Sequence, residues 1–293
     1  ASVRELGIGD DHDGILVPGR LGLDPEVGAV ALEVLGLYDE AAQINVTPDR
    51  GYCFSLRGVA REYAHATGTV FTDPAAGVAV AEAAGEGYPV RIEDAAPIYG
   101  KPGCDRFVAR TVRGVDPTRP TPPWMSSRLR LAGIRSISLV VDISNYVMLE
   151  LGQPLHFYVL DKLQGSIVVR RARPGETLKT LDDKVRRLDP QDLLITDDSG
   201  AIGIAGVMGG AATEVSDGTV NVLIEAAHFE EVSIARSRRR PKLPSEASKR
   251  FERGVDWQVA DEAAQRAVDL LVELAGGTAD AAATDTGTAP EPV

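Results

Sequence analysis

Ile137-Ser138-Leu139-Val140-Val141-Asp142-Ile143-Ser144-Asn145-Tyr146-Val147-Met148-Leu149-Glu150-Leu151-Gly152 is the run whose reading decides the fold. Its opening, Ile137 to Asp142, is apolar and rich in β-branched residues, as in a buried strand, and Asn145 to Leu151 reads as a helix ended by Gly152. Strands and helices recur on both sides without the regular alternation of a parallel βαβ array. Residues 88–93 and 107–112 read as strands, and Pro122-Pro123 opens a short helix. Further strands are expected at 167–171, 193–196, 202–207 and 220–226, then helices at about 230–240, 245–253 and 257–275. Upstream, 14–18 reads as a short strand and 25–35 as a helix closed by Gly36. Ser55 is placed to cap a helix that buries Leu56, Val59, Ala60, Tyr63 and Ala64 and stops at Gly68. Residues 73–87 are Ala- and Gly-rich, like a linker, and 278–293 have little to bury, like a disordered tail or linker. The expected class is α+β, with mixed sheet layers and flanking helices.

The chain has 293 residues, 44% hydrophobic and 25% charged, ordinary for a globular protein of one or two domains. No apolar run reaches the roughly 18–20 residues of a membrane span, and no secretion signal opens the sequence. Cys53 and Cys104 are too few for a disulfide framework, so a reducing, cytoplasmic setting is the simpler reading. The net charge of −12 argues against a surface that grips nucleic acid everywhere. Basic residues do gather at Arg236, Arg238, Arg239, Arg240, Lys242, Lys249 and Arg250, as a solvated helix face or a local phosphate contact.

There is no phosphate loop with its lysine, no GxSxG elbow and no HExxH pair. The four histidines, His12, His65, His156 and His228, lack partners at metal-ligand spacing. Ala205-Gly206-Val207-Met208-Gly209-Gly210 is either a strand with a tight turn or backbone laid bare for a ligand. Glu225 lies inside Val222-Leu223-Ile224-Glu225-Ala226-Ala227, a segment fit for burial. A buried carboxylate needs a partner, and Arg135, a backbone amide or a ligand could supply one.

Taken together and in order, several motifs resemble the β chain of bacterial phenylalanine–tRNA synthetase. They are Thr47-Pro48-Asp49-Arg50-Gly51-Tyr52-Cys53, Gly133-Ile134-Arg135, the run from Val140 through Gly152-Gln153-Pro154-Leu155-His156, the 205–210 glycine run, Leu223-Ile224-Glu225, and Ser245-Glu246-Ala247-Ser248-Lys249-Arg250-Phe251-Glu252-Arg253-Gly254-Val255-Asp256. The resemblance implies the end of an OB-like tRNA-binding domain at 1–18, part of a helical B1-like domain at 19–72, a B3/B4 editing domain at 88–256, and a helix at 257–277 leading to a further domain. It implies hydrolysis of tyrosine mis-esterified to phenylalanine tRNA, with Glu225 accepting the tyrosine phenol. His156 and Asn145 would act at the ester, and Arg135, Ser144, Ala205 and Gly206 would line or hold. Gly209, Ser245 and Ala247 would keep the pocket open by being small. The implied partners are the tRNA acceptor end and the α chain of an α2β2 enzyme. Editing would take no cofactor, ATP and Mg2+ serving a synthetic site elsewhere. The run after His156 departs from the family's usual alanine and Phe-Asp: here it is Phe157-Tyr158-Val159, which sets a bulky ring beside the expected site. The rival reading is a module that binds tRNA or a partner chain without hydrolysis.

Overall fold

The computed structural model describes residues 2–8 and 12–289. The first ninety residues carry little regular structure. The expected strand at 14–18 does not form: Pro18–Leu21 is a single 3-10 turn, and Ile15 and Val17 are exposed. The helix expected at 25–35 shrinks to α1 (Ala31–Val34), because Gly28 takes a left-handed φ of 96° that no helix tolerates. Helix α2 (Leu56–Thr67) forms where its sequence predicts, but of the expected buried stripe only Ala64 is buried; Val59 is half-buried and Leu56, Ala60 and Tyr63 are exposed. The Ser55 hydroxyl accepts from the Gly58 amide at 3.0 Å, and Gly68 ends it at φ 71°. Residues 73–87 are a strap rather than a free linker. Asp73 pairs with both prongs of Arg57 at 2.8 Å, and the Ala84 amide donates to the Ala281 carbonyl at 2.8 Å.

The body then runs β1 (Val90–Glu93), β2 (Cys104–Arg113), α3 (Pro123–Leu131), α4 (Leu139–Leu151), β3 (Leu155–Val159), β4 (Ile167–Arg171), β5 (Thr177–Lys179) and β6 (Val185–Arg187). It continues with β7 (Leu193–Asp197), β8 (Gly200–Ile204), β9 (Met208–Gly209), β10 (Val222–Phe229), α5 (Glu231–Arg239), α6 (Glu246–Phe251), α7 (Ala260–Ala275) and β11 (Thr278–Gly287). The class is α+β. An antiparallel sheet of order β11-β2-β10-β3 forms the middle layer. On one face it carries α3, α4 and α7; on the other lies a mixed sheet of order β1-β4-β7-β8-β9.

Strands β3 and β10 of the middle sheet are covered on both faces, so they are apolar almost throughout and a period of two sorts their side chains. Val222, Ile224 and Ala226 join the helical core; Leu223, Ala227 and Phe229 join the core between the sheets. On β3, Phe157 faces the helices and Tyr158 faces the other sheet. Each large side chain buried this way stabilises the fold by about 1.5–3 kcal/mol.

Two expectations differ from the structure. The stretch 137–142 is not a strand: helix starts at Leu139. The Asp142 carboxylate sits in its first turn, accepting from the Ile137 amide at 2.9 Å and the Thr121 hydroxyl at 2.6 Å. And 278–287 pairs with β2 as an edge strand, small residues packing where the strap covers them; 290–293 fall outside the described residues.

Candidate functional site

A cavity of about 270 Å³ opens between the two sheets, just below the usual range of roughly 300–1,000 Å³ for ligand pockets. That suits one side chain and its immediate attachments. Glu225 of β10 and His156 and Tyr158 of β3 form one wall; Gly203, Ile204 and the turn through Val207 to Gly209 form another. Helix α4 contributes Ser144 and Asn145, which lie four and three residues before Met148 and so flank it on one face. The N-terminus of α6 contributes Ser245, Glu246 and Ala247.

Register puts Glu225 directly opposite His156 across the β10–β3 ladder. The loop before β3 is held by Gln153, whose buried amide donates to the Ala227 carbonyl at 2.9 Å. Glu225 is 5% exposed, and among the described residues no arginine pairs with it. Its described partner is the Tyr158 hydroxyl, which donates to Oε2. Burial pushes the Glu225 carboxyl up to about 7, against the downward pull of that hydrogen bond. Burial also lowers the His156 imidazole to about 4, so the ring is neutral at physiological pH. Its Nε2 is buried with no hydrogen-bond partner among the described residues. The His156 and Tyr158 rings meet edge to face, centroids 4.4 Å apart.

The glycines have separate reasons to be there. A Cβ on Gly209 would lie 2.5 Å from His156 Cε1 and 2.9 Å from Nε2, so any side chain there displaces the imidazole. Gly206 turns the chain at φ 63°, and a Cβ on it would strike Phe251 at 2.9 Å. Ser245 does more than stay small. Its hydroxyl accepts from the Ser248 amide at 3.0 Å as the α6 cap, and it donates to the Val207 carbonyl at 2.9 Å, tying the glycine turn to the helix. The Ser144 hydroxyl is turned back to the Val141 carbonyl at 2.7 Å, whereas the Asn145 amide has no hydrogen bond to a described residue.

Nine of the ten site residues expected from sequence therefore line one cavity: Ser144, Asn145, His156, Ala205, Gly206, Gly209, Glu225, Ser245 and Ala247. Arg135 does not. It is exposed beside a separate, larger groove running along residues 117–139. Phe157 turns away from the cavity into the helical core, because it alternates with His156 and Tyr158. Tyr158 and Gln153 were not singled out by sequence; two-residue alternation along β3 is the signal that places Tyr158 beside Glu225. The basic cluster is largely spent internally: Arg238 pairs with Glu252, Arg240 with Asp192 and Arg250 with Glu246. Among the described residues no group of three or more His, Cys, Asp or Glu could hold a metal ion, and no helix is long and apolar enough to cross a membrane.

The family model for the B3/4 domain matches residues 103–276. This chain belongs to the B3/4 domain family. The matched region takes in β2, β10 and β3 of the middle sheet, the cavity and α7. The chain is 69% identical to the phenylalanine–tRNA ligase beta subunit of Leifsonia xyli, over 96% of this chain and 33% of that one. The beta subunits of Streptomyces avermitilis and Thermobifida fusca are 57% and 55% identical, over 98% and 94% of this chain and 34% and 32% of theirs. The chain thus spans about a third of the length of these relatives. An N-terminal fragment of the phenylalanyl-tRNA synthetase beta subunit from Pyrococcus horikoshii aligns over 79% of this chain and 60% of its own, with a TM-score of 0.43 and 15% identity.

Proposed function

We propose that this B3/4 domain is an editing hydrolase, clearing tyrosine from phenylalanine tRNA as part of a phenylalanine–tRNA ligase beta subunit in cytoplasmic translation. The observation that carries the reading is Glu225: a carboxylate buried in the wall of a cavity of side-chain size, with a phenol already hydrogen-bonded to one of its oxygens. A pocket shaped for a phenyl ring cannot strongly exclude a ring with one more hydroxyl, whereas a second pocket that binds the hydroxyl can demand it. Phenylalanine would leave a buried acceptor without a donor, which costs about 1–3 kcal/mol or more for a charged group.

The ester is already activated, so hydrolysis needs a placed water and a held carbonyl more than a protein nucleophile. His156, neutral and free at Nε2, is suited to orient or accept from that water, and Asn145 offers an unspent amide to the ester or ribose. The chemistry as read uses no metal and no ATP; the tRNA acceptor end supplies the substrate, and the ligase α chain is the partner expected of the longer subunit. Binding without hydrolysis drew its support from Phe157 crowding the site, and that ring lies on the opposite face of β3.

The test is deacylation of Tyr-tRNA by the purified chain. Release well above the enzyme-free rate, abolished by Glu225→Ala and reduced by His156→Ala more than binding is reduced, is the expected result. Background release by folded protein would leave binding as the activity.

A further inference from the structure

Tyr158 is almost wholly buried, lies on the same face of β3 as His156, and sits diagonally across the ladder from Glu225. Its hydroxyl occupies Oε2 of that carboxylate, while no described residue donates to Oε1. Resting on the editing reading above, we infer that Tyr158 is a specificity-determining residue, a resident phenol that fixes Glu225 so that one oxygen is taken and the other is left to accept an aryl hydroxyl from the substrate.

A carboxylate on a four-bond side chain has several rotamers, and a hydrogen bond from a ring locked in the core selects one of them. Tyr158 is locked: its neighbours between the sheets are fully buried side chains, and the His156 ring abuts it edge-on at 4.4 Å. The carboxylate would face burial without a described donor if the hydroxyl were removed. A hydrogen bond to the charged form favours that form, so losing it drives Glu225 further toward the neutral acid. A charged acceptor is also a stricter reader than a neutral one. An unpaired buried charge penalises an unhydroxylated ring heavily, while a neutral carboxyl, which both donates and accepts, penalises it less. Tyr158 therefore acts through Glu225, and its hydroxyl sets how sharply the cavity separates tyrosyl from phenylalanyl groups.

The experiment measures binding of tyrosinamide and phenylalaninamide to the whole chain by calorimetry from pH 6 to 9, in wild type, Tyr158→Phe, Glu225→Gln and the double variant. The wild type is expected to favour tyrosinamide. Tyr158→Phe, which keeps the ring and its packing, should cut that preference about tenfold at pH 7, the order of one charge-assisted hydrogen bond, and should move the midpoint of its pH dependence upward. In the Glu225→Gln background Tyr158→Phe should add little, because the two changes break one interaction. Unchanged preference and pH profile in Tyr158→Phe, or full additivity in the double variant, would overturn the inference. A wild type that separates the two amides through Tyr158 yet does not deacylate Tyr-tRNA would refute hydrolysis while supporting the role of Tyr158. Failure of the wild type to prefer tyrosinamide would overturn it.

Discussion

Burial raises Glu225 to about 7 and lowers His156 to about 4, so folding favours the neutral form of both. Their contributions to the pH dependence of stability have opposite signs. From about pH 4.5 to 7 the native state keeps the Glu225 proton that the unfolded chain releases, so stability falls as pH rises and the full cost is present above 7. His156 costs nothing above about 6.5, and its cost grows as pH falls toward 4. The wild-type profile should therefore be shallow across this range. Glu225→Gln removes the first limb alone: it should stabilise the chain by about 1–3 kcal/mol at pH 8 and by little at pH 5, as read by chemical denaturation. No gain at pH 8 would mean that the carboxylate is better solvated than its burial implies. Gly209→Ala tests the other wall. The added methyl overlaps the imidazole, a side chain able to swing aside, so melting temperature should change little while deacylation falls about a hundredfold, the usual order for a misplaced catalytic group. Equal loss of fold and activity would place the effect in packing instead.

At the scale of elements, helix α6 and the glycine turn form one device through Ser245. Ser245→Ala removes the cap of α6 and the donor to Val207, and should cost about 1–2 kcal/mol in thermal or denaturant unfolding. Most elements were legible in the sequence. Ser55 and Gly68 delimited α2 by capping chemistry that acts locally, and β4 was readable from its bounded apolar run. Leu139-Val140-Val141 was not, since a short β-branched apolar run fits a buried strand and a buried helix equally, and Asp142, gathering donors from the preceding loop, decides for helix. Strand β11 was hidden for another reason. Its small residues carry little β signal, and what makes it a strand is the open edge of β2, information held elsewhere in the chain. A chain ended at Gly277 should expose that edge. It should melt lower and aggregate more readily than the full chain, which light scattering during a thermal ramp would detect.

For the whole molecule, the cavity is a product of layering: two sheets face each other, and the site lies where the glycine turn of one passes the β10–β3 ladder of the other. Sequence named nine of its wall residues because a resemblance carried them together, and it missed Tyr158 because only the register of β3 reveals which face a residue takes. Arg135 went the other way, near in sequence to α4 yet directed to a different groove. A crystal structure of the chain with bound tyrosine tests most directly whether the Glu225 carboxylate receives a substrate phenol. It should place the phenolic oxygen within about 3 Å of Glu225, the amino-acid carboxyl toward His156 and Asn145. Tyrosine bound outside this cavity, or inside it with the phenol away from Glu225, would contradict that role.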